Sequence, residues 1–308
     1  MTKKEAVFID RDHCISCGDG NLKELSGGLF GDAPLREFIE NDPWGENPMP
    51  YIEHKKWSYV QCINCRQMFH RYILSNEWNE VRFSEWMTQE AMEKFEESIQ
   101  TPASDFNKAK QHVEHILRIE KMSLELRGDS PVRILDFGCG WGEFLAMCER
   151  FGFSGYGIDR SSERRQQGKH LNIFPEIEEL VMEEGSTNFF HVITLFEVLE
   201  HLDEPLILLK SLSRLLAPGG ILIVETPDCS DVTDIKDEMS YRKIHPLDHI
   251  NGFTPDTLRN IVQRAGFRSV QPHISHVSTD RTKVIKTEIK QLLAWLTNDK
   301  IQQYFQKK

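Results

Sequence analysis

Val132–Gly142 reads VRILDFGCGWG, and this stretch decides the fold. A short apolar run ends in glycines at 138, 140 and 142. Glycine adopts backbone conformations closed to other residues and lets a ligand approach the main chain at a helix N-terminus. Working outward, YGID near 155–159 follows an amphipathic helical pattern, and FFHVITLF at 189–196 is a third apolar strand. Pro205–Leu216 has helical spacing, and Ala217–Gly220 (APGG) turns the chain into ILIVET at 221–226. Strands alternating with helices predict an α/β fold with a mostly parallel sheet, and right-handed crossovers put helices on both faces. The second strand ends at Asp159, placed to accept hydrogen bonds from ribose hydroxyls in the crevice beyond the strand ends. A dinucleotide fingerprint G-x-G-x-x-G would need glycine at 143, where this chain has Glu143.

The matching blocks continue: ILDFGCGWGEF (134–144), GYGIDRS (155–161), HVITLFEVLEHLDEP (191–205), LLAPGGILIVETP (215–227) and HINGFTPDTLRNIVQRAGF (249–267). In this order they resemble the class I S-adenosyl-L-methionine (SAM)-dependent methyltransferases, nearest to the UbiG-like group, which methylates small molecules. The resemblance implies a Rossmann-like, seven-stranded, mostly parallel sheet with an antiparallel last strand over about 131–280. It also implies a cofactor site formed by Asp136, Phe137, Gly138, Gly140, Asp159, Arg160, Ile177 and Phe196. Within it Gly138 and Gly140 face the methionine end of SAM, Asp159 the ribose, and Phe196 the pocket floor; Ile177–Glu178 flanks the adenine.

Glu197-Val-Leu-Glu200-His201 follows the third strand. On a helix, positions i, i+3 and i+4 share a face, so two carboxylates and an imidazole would point together. His245 and His249 could join them. Oxygen and nitrogen donors of this kind suit Mg²⁺ or another divalent ion. The pattern resembles the E-x-x-E-H…H metal constellation of small-RNA 2′-O-methyltransferases. Three readings stand: a cation at Glu197, Glu200, His201 and His249; a brace for the helix start; or direct acid–base work by His201 or His249.

Ahead of this domain lie Cys14-Ile-Ser-Cys17 and Cys62-Ile-Asn-Cys65, two C-x-x-C knuckles 44 residues apart. Two such pairs complete a tetrahedral Cys₄ zinc site, and a redox dithiol is the alternative. The long loop adds only modest closure entropy. The expected organisation is a zinc-ribbon-like module over 1–80 holding a structural zinc, and a helical linker over 81–130. The methyltransferase domain follows over 131–280, then a helical tail over 281–308. Ser26–Pro50 is rich in loop-forming residues, and 227–253 reads as an insertion over the carboxyl ends of the strands. Trp44, Trp57, Trp78 and Trp86 are expected to pack the zinc site and linker; Cys139 and Cys148 read as small packed residues.

The 308 residues carry a net charge of −11, and residues 1–100 hold 11 Lys and Arg against 18 Asp and Glu. An acidic front module is a poor partner for phosphate backbones, which argues against a nucleic-acid partner. No apolar run is long enough to span a membrane. Seven cysteines, an odd number, and no export signal point to a cytoplasmic protein without a disulfide framework. The expected activity is SAM-dependent methylation of a hydroxyl or carbon on a small polar metabolite or sugar-like intermediate. An RNA-modifying methyltransferase and a non-catalytic SAM-binding protein are the alternatives.

Overall fold

A computed structural model describes residues 5–88, 90–94, 101–184, 187–271 and 300–308. Its strands in chain order are β1 (Phe8–Asp10), β2 (Leu22–Leu29), β3 (Lys56–Cys62), β4 (Met68–His70), β5 (Tyr72–Leu74), β6 (Arg133–Phe137) and β7 (Ser154–Ile158). They continue with β8 (Asn172–Phe174), β9 (Phe190–Phe196), β10 (Leu216–Pro227), β11 (Asn251–Gly252), β12 (Phe267–Val270) and β13 (Lys300–Lys307). The chain divides into two compact units. One comprises Met1–Asp105, Glu200–Asp203 and Cys229–Thr257; the other comprises Phe106–Leu199, Glu204–Asp228 and Leu258–Lys308.

The second unit is built on a seven-stranded sheet of order β12-β13-β10-β9-β6-β7-β8. Pairings from β10 through β8 are parallel, and β13 runs antiparallel to both β10 and β12. This is the Rossmann-like sheet that the motif order implies. Central β9 (FHVITLF) is buried at every residue but the last, as expected of a parallel strand with both faces covered. The helix Pro102–Arg127 opens on a proline and buries Ile116, Ile119 and Ser123, an i, i+3, i+7 stripe. Ile116 and Ile119 join Val132, Ile134, Val192, Ile221, Ile223 and Tyr304 in one core. So the second half of the expected linker, from Phe106 on, belongs to this unit rather than bridging to it. Cys139 and Cys148 are buried there as well.

The expected helical tail is corrected where the structure describes it. Residues 272–299 lie outside the described residues, but Lys300–Lys307 is the antiparallel strand β13, with Ile223 opposite Tyr304. Ile301, Tyr304 and Phe305 fall at i, i+3 and i+4, which looks helical, and all three are buried. A strand covered on both faces does not need the period-two pattern, so spacing misleads here and pairing with β10 and β12 decides.

The first unit has an antiparallel sheet of order β11-β4-β3-β2 and a separate β1–β5 pair. The stretch expected to be loop contributes β2 and the helix Leu35–Asn41, with Leu35 and Ile39 buried. Of the expected insertion 227–253, all from Cys229 on belongs to this unit. Val232, Ile235, Tyr241, Ile244 and Leu247 share a core with Phe30, Ile39, Ile52, Tyr59 and Trp86. β11 extends the sheet through Asn251 opposite Phe69. The buried side of that insertion is apolar at irregular intervals, so no helix or strand period announces it. Trp57, Trp78 and Trp86 belong to this core and Trp44 packs against it. The cysteine knuckles have a small core of their own with Val60 and Phe69.

Candidate functional site

In the second unit, β6 ends in a turn whose three glycines all have left-handed backbone: Gly138 at φ 77°, Gly140 at 56° and Gly142 at 77°. Gly142 leads into the helix Glu143–Arg150. A Cβ on Gly138 would lie 2.6 Å from Val198 Cγ2, and one on Gly142 2.5 Å from Leu171 Cδ1. A Cβ on Gly140 would meet nothing within 4 Å. The outer two glycines are therefore required by packing, while the middle one presents bare backbone to open space. Asp159, at the end of β7, accepts the N–H of Gly140 at 3.0 Å and that of Ser161 at 2.9 Å. Arg164 stands 3.6 Å away and lies over the Trp141 ring. A carboxylate has about four acceptor sites, so Asp159 keeps capacity for a further donor.

The other predicted cofactor residues surround this turn unequally. Asp136 is buried and accepts a 2.6 Å hydrogen bond from Thr194 Oγ1; burial pushes its carboxyl up to about 7. It supports the turn from beneath. Phe196 stacks on His115 at 5.0 Å and meets Phe144 edge-on at 5.3 Å. Burial drives His115 down to about 3, so this ring is neutral. Arg160 is exposed and pairs with Glu176 at 3.0 Å, and Phe137 and Ile177 are half-buried.

In the first unit, Glu200, His201 and His249 bring one donor atom each within 4.8 Å of one another. Leu199–His201 is a single 3₁₀ turn rather than the start of an α-helix. The rings of His201 and His249 meet edge-on, 4.8 Å between centroids. His201 Nδ1 lies 3.1 Å from Asp248 Oδ1. Burial alone would lower His201, but the Asp248 carboxylate outweighs it and carries the imidazole up to about 9. Burial and the neighbouring His201 push His249 down to about 3. Two other predicted partners fall elsewhere. Glu197 belongs to the second unit, at φ 55°, with its N–H on the Glu225 carbonyl. His245 pairs with Asp42 at 3.0 Å and with the Tyr241 hydroxyl at 2.7 Å. The i, i+3, i+4 argument fails for Glu197 because the α-helix it assumed is not there.

The sequence matches a family model described as "Methyltransferase domain" over residues 104–271. The chain belongs to this methyltransferase-domain family. It is similar to a ubiquinone biosynthesis O-methyltransferase of Caulobacter sp. (strain K31), 35% identical over 103 residues, covering 31% of this chain and 40% of that one. The protein of the same name from Glaesserella parasuis serovar 5 is 29% identical over 152 residues, covering 45% and 64%. The chain thus spans between two fifths and just under two thirds of these relatives' length. Among solved structures, a SAM-dependent methyltransferase from Archaeoglobus fulgidus is similar at 18% identity and TM-score 0.43, covering 67% of this chain and all of that one. The plantazolicin methyltransferase BpumL in complex with SAH is similar at 16% identity and TM-score 0.45, covering 67% and 88%.

The matched methyltransferase domain begins at 104, so the cysteine knuckles lie ahead of it. Cys14, Cys17, Cys62 and Cys65 gather with all four sulfurs within 4.8 Å. Cys14 and Cys65 are 3.5 Å apart, as are Cys17 and Cys62. The two knuckles repeat one design: Gly18 N–H returns to the Cys14 carbonyl and Arg66 N–H to the Cys62 carbonyl, both at 2.9 Å. Gly18 and Arg66 both have positive φ. Tetrahedral zinc with Zn–S near ~2.3 Å would set sulfurs roughly 3.8 Å apart, which this cluster can accommodate.

Sequence reasoning missed the groups that hold the first unit's cluster. Arg82 Nη1 donates to Asp248 at 2.9 Å and also to the Leu247 carbonyl. Arg11 donates to the carbonyls of His70 and Ile250 and, at 2.9 Å, to Asn251 Oδ1, while Asn251 Nδ2 donates to the Leu202 carbonyl. Among the described residues, no helix is long and apolar enough to cross a membrane.

Proposed function

We propose that this methyltransferase-domain protein moves the methyl group of SAM to a hydroxyl or carbon of a small polar metabolite or sugar-like intermediate. One observation carries the cofactor half of this reading. Gly140, in left-handed backbone with open space where a side chain would be, is tied through its N–H to the carboxylate that ends the next strand. That arrangement suits a ligand carrying both a compact polar head and a ribose. The Gly138–Gly142 backbone would hold the methionine end, Asp159 the ribose, and Phe196 would wall the crevice. Ile177 and Arg160 would flank the adenine. The sulfonium supplies an activated methyl; the chain's task is positioning for in-line attack.

Glu200, His201 and His249 follow or lie far beyond β9 in sequence yet share one cluster. Two imidazoles and a carboxylate form a donor set for Mg²⁺ or another divalent cation. A cation held there would act as a Lewis acid. The small-molecule acceptor is favoured by the relatives' name, ubiquinone biosynthesis O-methyltransferase, and by the acidic front module. The four cysteines would hold one structural Zn²⁺. Calorimetry with SAM on the native chain and on Asp159→Ala tests the cofactor half: clear binding that the substitution weakens at least tenfold is expected, and binding indifferent to Asp159 would overturn it.

A further inference from the structure

The triad of Glu200, His201 and His249 is not self-supporting. His201 presents Nδ1 to both the side chain and the main-chain carbonyl of Asp248, each 3.1 Å away. Two acceptors on one ring nitrogen require that nitrogen to carry the proton. Nε2 is then the nitrogen left for a ligand. The same Asp248 oxygen, Oδ1, also accepts from Arg82 Nη1 at 2.9 Å. Arg82 is 4% exposed, which is rare for arginine unless an anion pairs with it. Its guanidinium also lies over the Phe83 ring and donates to the Leu247 carbonyl, so both its plane and its reach are set.

We propose that Arg82 and Asp248 form a positioning relay that fixes His201 with Nδ1 protonated and Nε2 available to complete the donor set with Glu200 and His249. The relay rests on the reading of that triad as a cation site. It means that the N-terminal segment, outside the matched methyltransferase domain, sets the geometry of the triad. Carboxylate–histidine–metal arrangements use the same logic: the outer carboxylate fixes ring and tautomer, and its loss weakens metal binding. Here the carboxylate is itself oriented by an arginine from a third stretch of chain, 166 residues before Asp248. Arg11 does parallel work on the backbone by holding the segments that carry Ile250 and Asn251.

The test uses the full chain with its cysteine site loaded, Mn²⁺ as the probe, and Asp248→Asn, Arg82→Met and Arg82→Lys. Mn²⁺ affinity is read by electron paramagnetic resonance, and the His201 tautomer by ¹⁵N-resolved imidazole spectra on the alkaline side of its titration. SAM affinity and thermal unfolding report folding. Expected are an Nδ1–H tautomer in the native protein, Mn²⁺ binding weakened about 10- to 100-fold by Asp248→Asn, and partial recovery in Arg82→Lys relative to Arg82→Met. A folded Asp248→Asn that binds Mn²⁺ as the native chain does, or a native Nε2–H tautomer, overturns the relay. A native chain with the Nδ1–H tautomer but no Mn²⁺ affinity overturns the cation reading and leaves the orienting role of Asp248 supported. If Arg82→Met fails to fold, the Arg82→Lys and Asp248→Asn arms still decide.

Discussion

The two clusters of functional groups are put together in opposite ways. The proposed cofactor crevice comes from one nearly continuous run: Asp136, the glycine turn and Asp159 lie within 24 residues and are joined by local strand–turn–helix geometry. The triad and its supports come from four stretches, near residues 11, 82, 200 and 248, that meet only after folding. A contiguous site depends on turn chemistry and tolerates change elsewhere. A discontinuous site depends on everything that holds its stretches in register.

The largest expected effect follows from that dependence. Cys62→Ser, or removal of metal by a strong chelator, should unfold the first unit, because structural zinc supplies roughly 10–16 kcal/mol in small metal-held domains. Hydrogen exchange resolved by segment should show protection lost across 8–74 and 229–257 while 133–174 stays protected. Uniform loss in both units would mean that the contrast between them is false. Next, Gly142→Ala puts a Cβ 2.5 Å from Leu171 Cδ1 at φ 77°. Strain and overpacking together should cost about 2–4 kcal/mol by denaturant titration, with the loss confined to the second unit.

Asp159→Asn is milder for the fold. It removes the charge while keeping the shape, and SAM affinity should fall about 10- to 100-fold by calorimetry, the worth of one or two charge-assisted hydrogen bonds. A further effect is in pH dependence. Burial lifts Asp136 to about 7 in the folded chain, against an ordinary value of 3.8. The folded state therefore holds a proton that the unfolded state releases. Its contribution is complete below about 4 and is lost as pH rises through about 7. Asp136→Asn should flatten the fall in stability across that window; an unchanged slope would mean that Asp136 is not the group responsible.

The glycine turn could be read so directly because glycines at alternate positions after an apolar strand have few other uses, and because Asp159 sits where the next strand must end. The cysteine pairs were readable for a similar reason: C-x-x-C spacing places two thiols on one small turn whatever surrounds it. The triad was half-readable. Glu200 and His201 are adjacent in sequence, but His249 could be picked only as one candidate beside His245. The competing choice, Glu197, failed with the helix that was to carry it. Arg82 and Asp248 carried no signal, because a lone arginine or aspartate looks like any solvated charge until a partner distant in the chain arrives.

Sequence alone specified the glycine turn, the order of strands and helices around it, and the four thiols, since each depends on neighbours within a few residues. Tertiary structure alone decided that Lys300–Lys307 is a strand, that residues 229–257 join the N-terminal unit, and which histidines meet. The physical reason is the same for all three. A residue's local pattern states what it could bury or bind, whereas the free energy that selects among those options comes from contacts with chain tens to hundreds of residues away.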